Sequence, residues 1–141
     1  MNSTHIAFQE KSTFELPETH ALRRGETIVG LLAIALIHLL DLPGKWAETR
    51  YMAYGYIAVI AVSLILAEVI STRRETRAMY AAASLSVAVL LGFIVNRTIG
   101  MPGAMEDVGN WGEPLGIASL FAESITVWVT IRGAIEMHRR K

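Results

Sequence analysis

The sequence has no cysteine, which excludes disulfide bonds, thiolate metal sites, iron–sulfur clusters and cysteine nucleophiles. It also lacks a phosphate-binding loop, a hydrolase nucleophile elbow and a dinucleotide fingerprint, because its glycines do not follow the spacing of those motifs. Since these common catalytic motifs are missing, the sequence favours a non-enzymatic protein.

Charged residues are scarce over long stretches of the chain. Only 18% of the 141 residues are charged, whereas 52% are hydrophobic, and the apolar residues form four blocks at roughly 27–43, 51–71, 79–97 and 113–132. Each block approaches the roughly 20 residues that a helix needs to cross a bilayer. The pattern predicts an all-α, polytopic membrane protein with four transmembrane helices in an up-down bundle.

These four blocks leave no room for a second, soluble domain. We predict a polar cytoplasmic segment over residues 1–26, a four-helix transmembrane domain over 27–132 and a basic cytoplasmic tail over 133–141. The first 25 residues lack an apolar core, so they are not expected to be a cleavable signal peptide.

Positive charge is distributed unevenly among the polar segments. Ten of the 13 Lys and Arg residues lie towards the two termini and in the 72–78 loop, and three lie in the other two loops. The positive-inside rule therefore predicts cytoplasmic termini, as in a multi-pass protein of a bacterial cytoplasmic membrane. The expected partners are the lipid bilayer and other transmembrane helices. Nucleic acid is not expected, because the basic clusters are short and lack interleaved aromatic residues.

The fourth apolar block carries a polar stripe. Residues at alternating spacings of three and four share one helical face: Gly116, Ser119, Glu123, Thr126 and Thr130. Phe121, Ile125, Trp128 and Val129 are expected elsewhere on this helix. A carboxyl group near the middle of a membrane span is costly unless it is protonated, paired or facing water. Glu123 is therefore predicted to point into the protein interior.

A second group of polar residues is predicted at the outer ends of the helices and in the outer loops. Its members are His38, Asp41, Asn96, Arg97, Asp107, Asn110 and Glu113. His38 and Asp41 are three residues apart and share a helical face. With Glu113 they form a possible site for a divalent metal, because imidazole and carboxylate ligands suit such ions. The alternative is structural, with His38 donating to a backbone carbonyl and Arg97 pairing with a carboxylate.

No other cofactor is predicted. Only His38 falls within a span, so a bis-histidine haem would require a second copy of the chain. A proton or ion path from His38 and Asp41 through Glu123 to Glu68 is conceivable if water bridges the gaps. Glu68 lies close to the cytoplasmic end of its helix, so we favour an ion pair with Arg73, Arg74 or Arg132.

Proline and glycine predict where helices begin and end. Pro43-Gly44 is expected to stop the first helix, and Pro114 to open the fourth with Glu113 as its cap. The outer loop over 101–112 is expected to fold over the bundle mouth, leaving a narrow polar pocket above Glu123. In the third helix, Ser84, Ala88 and Gly92 follow each other at four-residue steps. This spacing predicts close packing against a neighbouring helix.

The loop and helix start over Gly109-Asn110-Trp111-Gly112-Glu113-Pro114-Leu115-Gly116 resemble a stretch of small, uncharacterised bacterial four-helix membrane proteins. The resemblance implies the same fold and brings no activity with it. Two functional interpretations stay open. The preferred one is a homo-oligomer or an accessory subunit of a larger membrane complex. The alternative is a small transporter, channel or metal-binding membrane protein that uses the outer polar cluster and Glu123.

Overall fold

The computed structural model describes residues 18–73 and 75–138. The predictions for residues 1–17, for Arg74 and for the basic end of the tail at 139–141 lie outside these residues. The fold is all-helical, with helices α1 (Glu18–Glu48), α2 (Arg50–Thr72), α3 (Thr76–Thr98) and α4 (Pro114–His138). A short 3-10 turn, Met105–Asp107, lies in the connection between α3 and α4.

All four helices are long and apolar enough to cross a membrane, as predicted. The qualifying spans are Ala21–Glu48, Arg50–Thr72, Thr76–Thr98 and Pro114–Glu136. Many large apolar side chains on these helices point outwards, for example Leu36, Ile65 and Phe121. Such an exposed apolar surface is what a lipid environment would cover.

The prediction that Pro43-Gly44 ends the first helix is wrong, because α1 continues through both residues to Glu48. A proline inside a helix removes one backbone hydrogen bond, a loss that membrane helices tolerate. The last turn of α1 is held by other contacts. Lys45 Nζ lies 3.0 Å from Glu48 Oε2, and the Lys45 carbonyl accepts a bond from the Thr49 N–H. Thr49 alone separates α1 from α2.

The helix ends meet in two groups. At what we call the loop end, the α1–α2 junction contacts the α3–α4 connection. Thr49 Oγ1 donates to the Gly103 carbonyl at 3.1 Å, and Tyr51 Oη donates to the Pro102 carbonyl at 2.7 Å. At the opposite end, which we call the terminal end, the start of α1 meets the ends of α2 and α4. Arg24 Nε donates to the Ile70 carbonyl near the end of α2 at 3.1 Å, and Arg23 Nε lies 3.9 Å from Glu136 Oε1 on α4.

The tightest contact between α1 and α4 lies at Gly30. A side chain at this position would overlap Thr126, so the two backbones approach as closely as glycine permits. One turn nearer the terminal end, Thr27 Oγ1 lies 3.4 Å from Thr130 Oγ1. Glycine and threonine at these positions bring the helices together and leave a line of small polar groups between them.

By contrast, α2 and α3 share few contacts with each other. Buried apolar residues of the two helices meet in a core cluster near the terminal end, which includes Ala67, Ile70, Ala78, Met79 and Ala82. Towards the loop end the two helices therefore leave a cleft between them.

Ser84, Ala88 and Gly92, predicted to pack closely against a neighbouring helix, do not pack against a helix of this chain, and a contact with another chain stays a prediction. Ser84 and Ala88 are exposed, and nothing lies within 4 Å of where a Gly92 side chain would begin. The buried face of α3 carries another row of small residues at the same spacing: Ala78, Ala82 and Ser86. Two rows with one spacing cannot be distinguished by spacing alone.

Candidate ligand-binding cavity

The cleft between α2 and α3 continues into a cavity of about 370 Å³ towards the loop end. Its walls on α2 and α3 are mostly apolar or glycine, as at Val59, Leu85, Val89 and Gly92. At the loop end it is lined by polar side chains: His38, Asp41, Lys45, Tyr56, Asn96, Arg97 and Glu113. Five of the seven residues in the predicted outer cluster thus line one space, whereas Asp107 and Asn110 do not.

Asp107 is the centre of the ionic contacts at the loop end. Its Oδ2 accepts bonds from Asn96 Nδ2 at 2.8 Å and Lys45 Nζ at 3.1 Å, and its Oδ1 lies 3.0 Å from Arg97 Nη1. Burial raises the pKa of the Asp107 carboxyl, but the donors Asn96 and Lys45 and the charges of Lys45 and Arg97 outweigh burial. The pKa therefore lies below its usual value, and the carboxylate ties the loop to α1 and α3.

Arg97 is 3% exposed and pairs with Asp107 and Glu113, as the structural alternative predicts. Its guanidinium also lies over the Phe93 ring, 5.2 Å from the centroid. Two buried atoms here lack a hydrogen-bond partner among the described residues: Arg97 Nε and Asn96 Oδ1. Buried polar atoms are paired in the large majority of cases. Ser63 Oγ, Ser86 Oγ and Glu123 Oε2 are also without a partner among the described residues.

His38 and Asp41 make separate contacts rather than a shared one. His38 Nδ1 lies 2.9 Å from the Ile34 carbonyl, which can only accept, so Nδ1 carries the proton. Asp41 Oδ2 accepts a 2.9 Å bond from Tyr56 Oη, and the Tyr56 ring packs edge-on against His38. Over residues 18–73 and 75–138, no three His, Asp or Glu side chains gather as metal ligands would.

The α3–α4 connection folds over the loop end, as expected. Gly103 and Gly109 adopt positive φ angles of 76° and 78°, which favour glycine. The Gly109 N–H donates to the Arg97 carbonyl at 2.9 Å. Trp111 packs edge-on against Phe93, with 6.0 Å between ring centroids. Asn110, which was grouped with the site, is exposed.

The fourth helix starts at Pro114, as predicted. The preceding Glu113 occupies the N-cap position, since its backbone carbonyl accepts the first helical bond, from the Ile117 N–H at 3.0 Å. Its carboxylate pairs with Arg97.

The polar stripe of α4 is buried along its whole length. Glu123 is 0% exposed, and Gly116, Ser119, Thr126 and Thr130 are buried with it. Phe121, Ile125 and Trp128 are exposed as expected, while Val129 is 8% exposed and belongs to the core. Ser119 Oγ donates to Glu123 Oε1 at 2.5 Å. Glu123 Oε2 has no partner among the described residues.

The stripe leads away from the cavity towards the terminal end. The contacts of Thr27 with Thr130 and of Gly30 with Thr126 fix how α1 and α4 run past each other. In these contacts the residue number rises along α1 as it falls along α4. The next turns of the two helices therefore place Ile34 beside Glu123 and His38 beside Ser119. His38 and Ser119 both line the cavity, so Glu123 lies about one helical turn below its floor.

Glu68 does not belong to this arrangement, because it is exposed near the end of α2. Its backbone carbonyl accepts bonds from the hydroxyls of Ser71 and Thr72. Among the described residues no ion pair of its carboxylate is found, and Arg74, one predicted partner, lies outside them. The buried polar residues of α4 extend to Thr130, next to Thr27 of α1, and Glu68 is not among them.

Three residues at the cavity were not singled out from the sequence: Lys45, Tyr56 and Phe93. Lys45 falls in a loop if Pro43-Gly44 ends α1, so the sequence gives no reason to place its side chain at the cavity. Tyr56 and Phe93 look like ordinary aromatic residues of a membrane span. No protein-family model matches the chain, and no curated protein or solved structure is similar to it.

Proposed function

We propose that this is a small ligand-binding membrane protein of the transporter class, with its binding site in the cavity at the loop end. The observation that carries the proposal is the cavity itself, about 370 Å³ in volume, with mostly apolar walls and a group of polar side chains at its loop end. Ligand sites in proteins are typically mostly apolar spaces of roughly 300–1,000 Å³ with a few polar groups that fix the orientation of the ligand.

The stripe along α4 supports transport rather than simple binding. Glu123 lies below the cavity floor, and Thr126, Thr130 and Thr27 continue the polar line between α1 and α4. Buried ionisable groups within a span are typical of substrate or proton pathways.

The proposed setting is a bacterial cytoplasmic membrane, with an up-down bundle and both termini in the cytoplasm. Ten of 13 Lys and Arg residues support this orientation. The loop end, with the cavity, would then face the outside of the cell.

A second candidate function, a homo-oligomer or accessory subunit, is favoured by one observation. Ser84 and Ala88 form part of an exposed row of small residues on α3, with Gly92 beside the cleft. Such rows let another transmembrane helix approach closely.

Gly92→Leu tests the proposal, because its side chain would enter the cavity from a position with open space around it. The protein, purified from its membrane in mild detergent, would be examined by native mass spectrometry for retained small molecules. We expect wild type to retain a ligand, and Gly92→Leu to lose it while keeping its melting temperature.

Gly25→Leu is the matched control, since Gly25 also has nothing within 4 Å but lies on α1 near the terminal end. It should retain the ligand. A wild-type protein that carries no small molecule, or a Gly92→Leu protein that retains it fully, contradicts the proposal. Loss of a protein partner from Gly92→Leu alone would support the second candidate.

A further inference from the structure

The loop end carries more negative than positive charge. Five carboxylates lie there, from Asp41, Glu48, Glu106, Asp107 and Glu113, against the three cations Lys45, Arg50 and Arg97. The two cations that line the cavity are already paired, Lys45 with Glu48 and Asp107, and Arg97 with Asp107 and Glu113. An anionic ligand would have to compete with these carboxylates for Arg97.

Asp41 is the cavity-lining carboxylate that lacks a cation. Tyr56 donates to its Oδ2, and among the described residues no Lys, Arg or His forms an ion pair with it. Asp41 lines the cavity, whose other walls are mostly apolar. A carboxylate beside apolar walls attracts a cation more strongly than one in bulk water, because the local dielectric constant is lower.

The hydrogen-bonding groups of the cavity also favour a donor. His38 uses its proton on the Ile34 carbonyl, which leaves Nε2 as an acceptor. Asp41 accepts a bond from Tyr56 at Oδ2, and a carboxylate oxygen can accept more than one bond. Both residues line the cavity, and acceptors of this kind suit an N–H group.

The cleft between α2 and α3 provides space for an apolar chain. Gly55 and Ala88 line the cavity and are exposed, so the cavity opens sideways between the two helices. Neither Gly55 nor Gly92 has any atom within 4 Å of its missing side chain. In a bilayer this opening would face the hydrocarbon chains of the leaflet at the loop end.

We infer that the ligand is an amphipathic primary amine, whose ammonium group binds at Asp41 and His38 while its chain lies in the α2–α3 cleft. The inference rests on the proposed function and names the ligand class of that same site. Its entry is lateral, from the membrane, because the cleft is open on that side.

The test compares probes that share one chain and differ in the head group. Radiolabelled decylammonium is bound to the purified full chain in nanodiscs, with the signal of empty nanodiscs subtracted. Unlabelled decylammonium, decyltrimethylammonium, decanoate and decanol are the competitors. We expect decylammonium to compete best, decyltrimethylammonium more weakly because it has no N–H, and decanoate and decanol least.

Asp41→Asn keeps an acceptor for Tyr56 and removes the charge, so the fold is preserved and affinity for decylammonium should fall roughly tenfold or more. Glu48→Gln is the matched control. It removes a carboxylate at the same end of the bundle, outside the cavity lining, and should change the affinity less than about twofold, since Glu48 is exposed, water screens its charge, and Lys45 keeps its bond to Asp107.

Gly92→Leu separates the two proposals. Suppose that Gly92→Leu abolishes binding, but that decanoate or decanol displaces the probe as well as decylammonium does. The cavity is then still the binding site, and the inference that the ligand is an amine is overturned. Equal affinity of decylammonium for wild type and Asp41→Asn leads to the same two conclusions. If Gly92→Leu binds decylammonium as wild type does, or no probe binds above empty nanodiscs, the amine inference is overturned.

Discussion

At the scale of single residues, Glu123 and Asp107 represent two ways of burying a carboxylate. Asp107 is surrounded by Asn96, Lys45 and Arg97, so its charge is compensated. Glu123 receives one bond, from Ser119 on its own helix, and keeps Oε2 unpaired. The first arrangement fixes a loop in place, whereas the second leaves a group within the span able to take a new partner.

Ser119→Ala should lower the free energy of unfolding by about 1–3 kcal/mol, because both oxygens of Glu123 would then be unpaired in the interior. The same change should cost much less in a Glu123→Leu background, where no carboxylate needs a donor. Thermal unfolding in detergent of the four proteins in this cycle measures the coupling. Equal losses in the two backgrounds would mean that the Ser119–Glu123 bond contributes nothing. Glu123→Gln, which keeps an acceptor for Ser119, should assemble normally.

Asp107→Asn should loosen the α3–α4 connection, because Lys45 and Arg97 would share a buried site without their common carboxylate. Removing one partner from a buried ion pair costs about 3–5 kcal/mol. Hydrogen exchange of the amides over residues 99–111 measures the effect. Glu106→Gln, at the exposed neighbouring residue, is the control and should exchange as wild type does.

The same carboxylate sets the pH dependence of the loop. The pKa of Asp107 is lower in the folded protein than 3.8, the usual value for an aspartate side chain. A lowered pKa means that the stabilisation is complete above the unfolded-state pKa and is lost as the pH falls through the folded-state pKa. Loop exchange should therefore show no step caused by Asp107 between pH 7 and about 5. A step in that interval that Asp107→Asn abolishes would contradict this assignment.

At the scale of elements, α1 and α4 approach closely at Gly30, whereas α2 and α3 share few contacts. Gly30→Ala should destabilise the protein by about 1–3 kcal/mol, because the new methyl group overlaps Thr126. Gly25→Ala, on the same helix with open space around it, should be neutral or slightly stabilising. Melting temperatures in one detergent give the comparison. Thr126→Ala removes the nearest atom and should restore part of the loss; a fully stable Gly30→Ala protein would refute the close approach.

The elements also show what the sequence could and could not predict. The spans, the Pro114 start and the buried face around Glu123 follow from local hydropathy and helical periodicity, so they were predictable. The continuation of α1 past Pro43 was not, because it depends on Lys45 meeting Asp107, 62 residues away. Two rows of small residues on α3 have the same four-residue spacing, one through Ala82 and one through Ser84. Which row is buried depends on how α2 and α3 diverge, and the spacing of the residues does not encode that.

For the whole molecule, the proposed orientation predicts which residues can be labelled from each side. The chain has no cysteine, so Glu75→Cys and Glu106→Cys each provide a single thiol at an exposed position. A membrane-impermeant maleimide added to intact cells should label position 106 and leave position 75 unmodified. Labelling at 75 but not at 106 would reverse the orientation and place the cavity on the cytoplasmic side.

The single-residue junction at Thr49 has a mechanical consequence. With one residue between them, α1 and α2 have no slack to slide along each other, and Thr49 is also fastened to Gly103. The connection from α3 to α4 is much longer, with 15 residues between Thr98 and Pro114. Widening of the cleft therefore requires α2 and α3 to separate at the loop end, while α1 and α2 stay fixed to each other through the junction at Thr49.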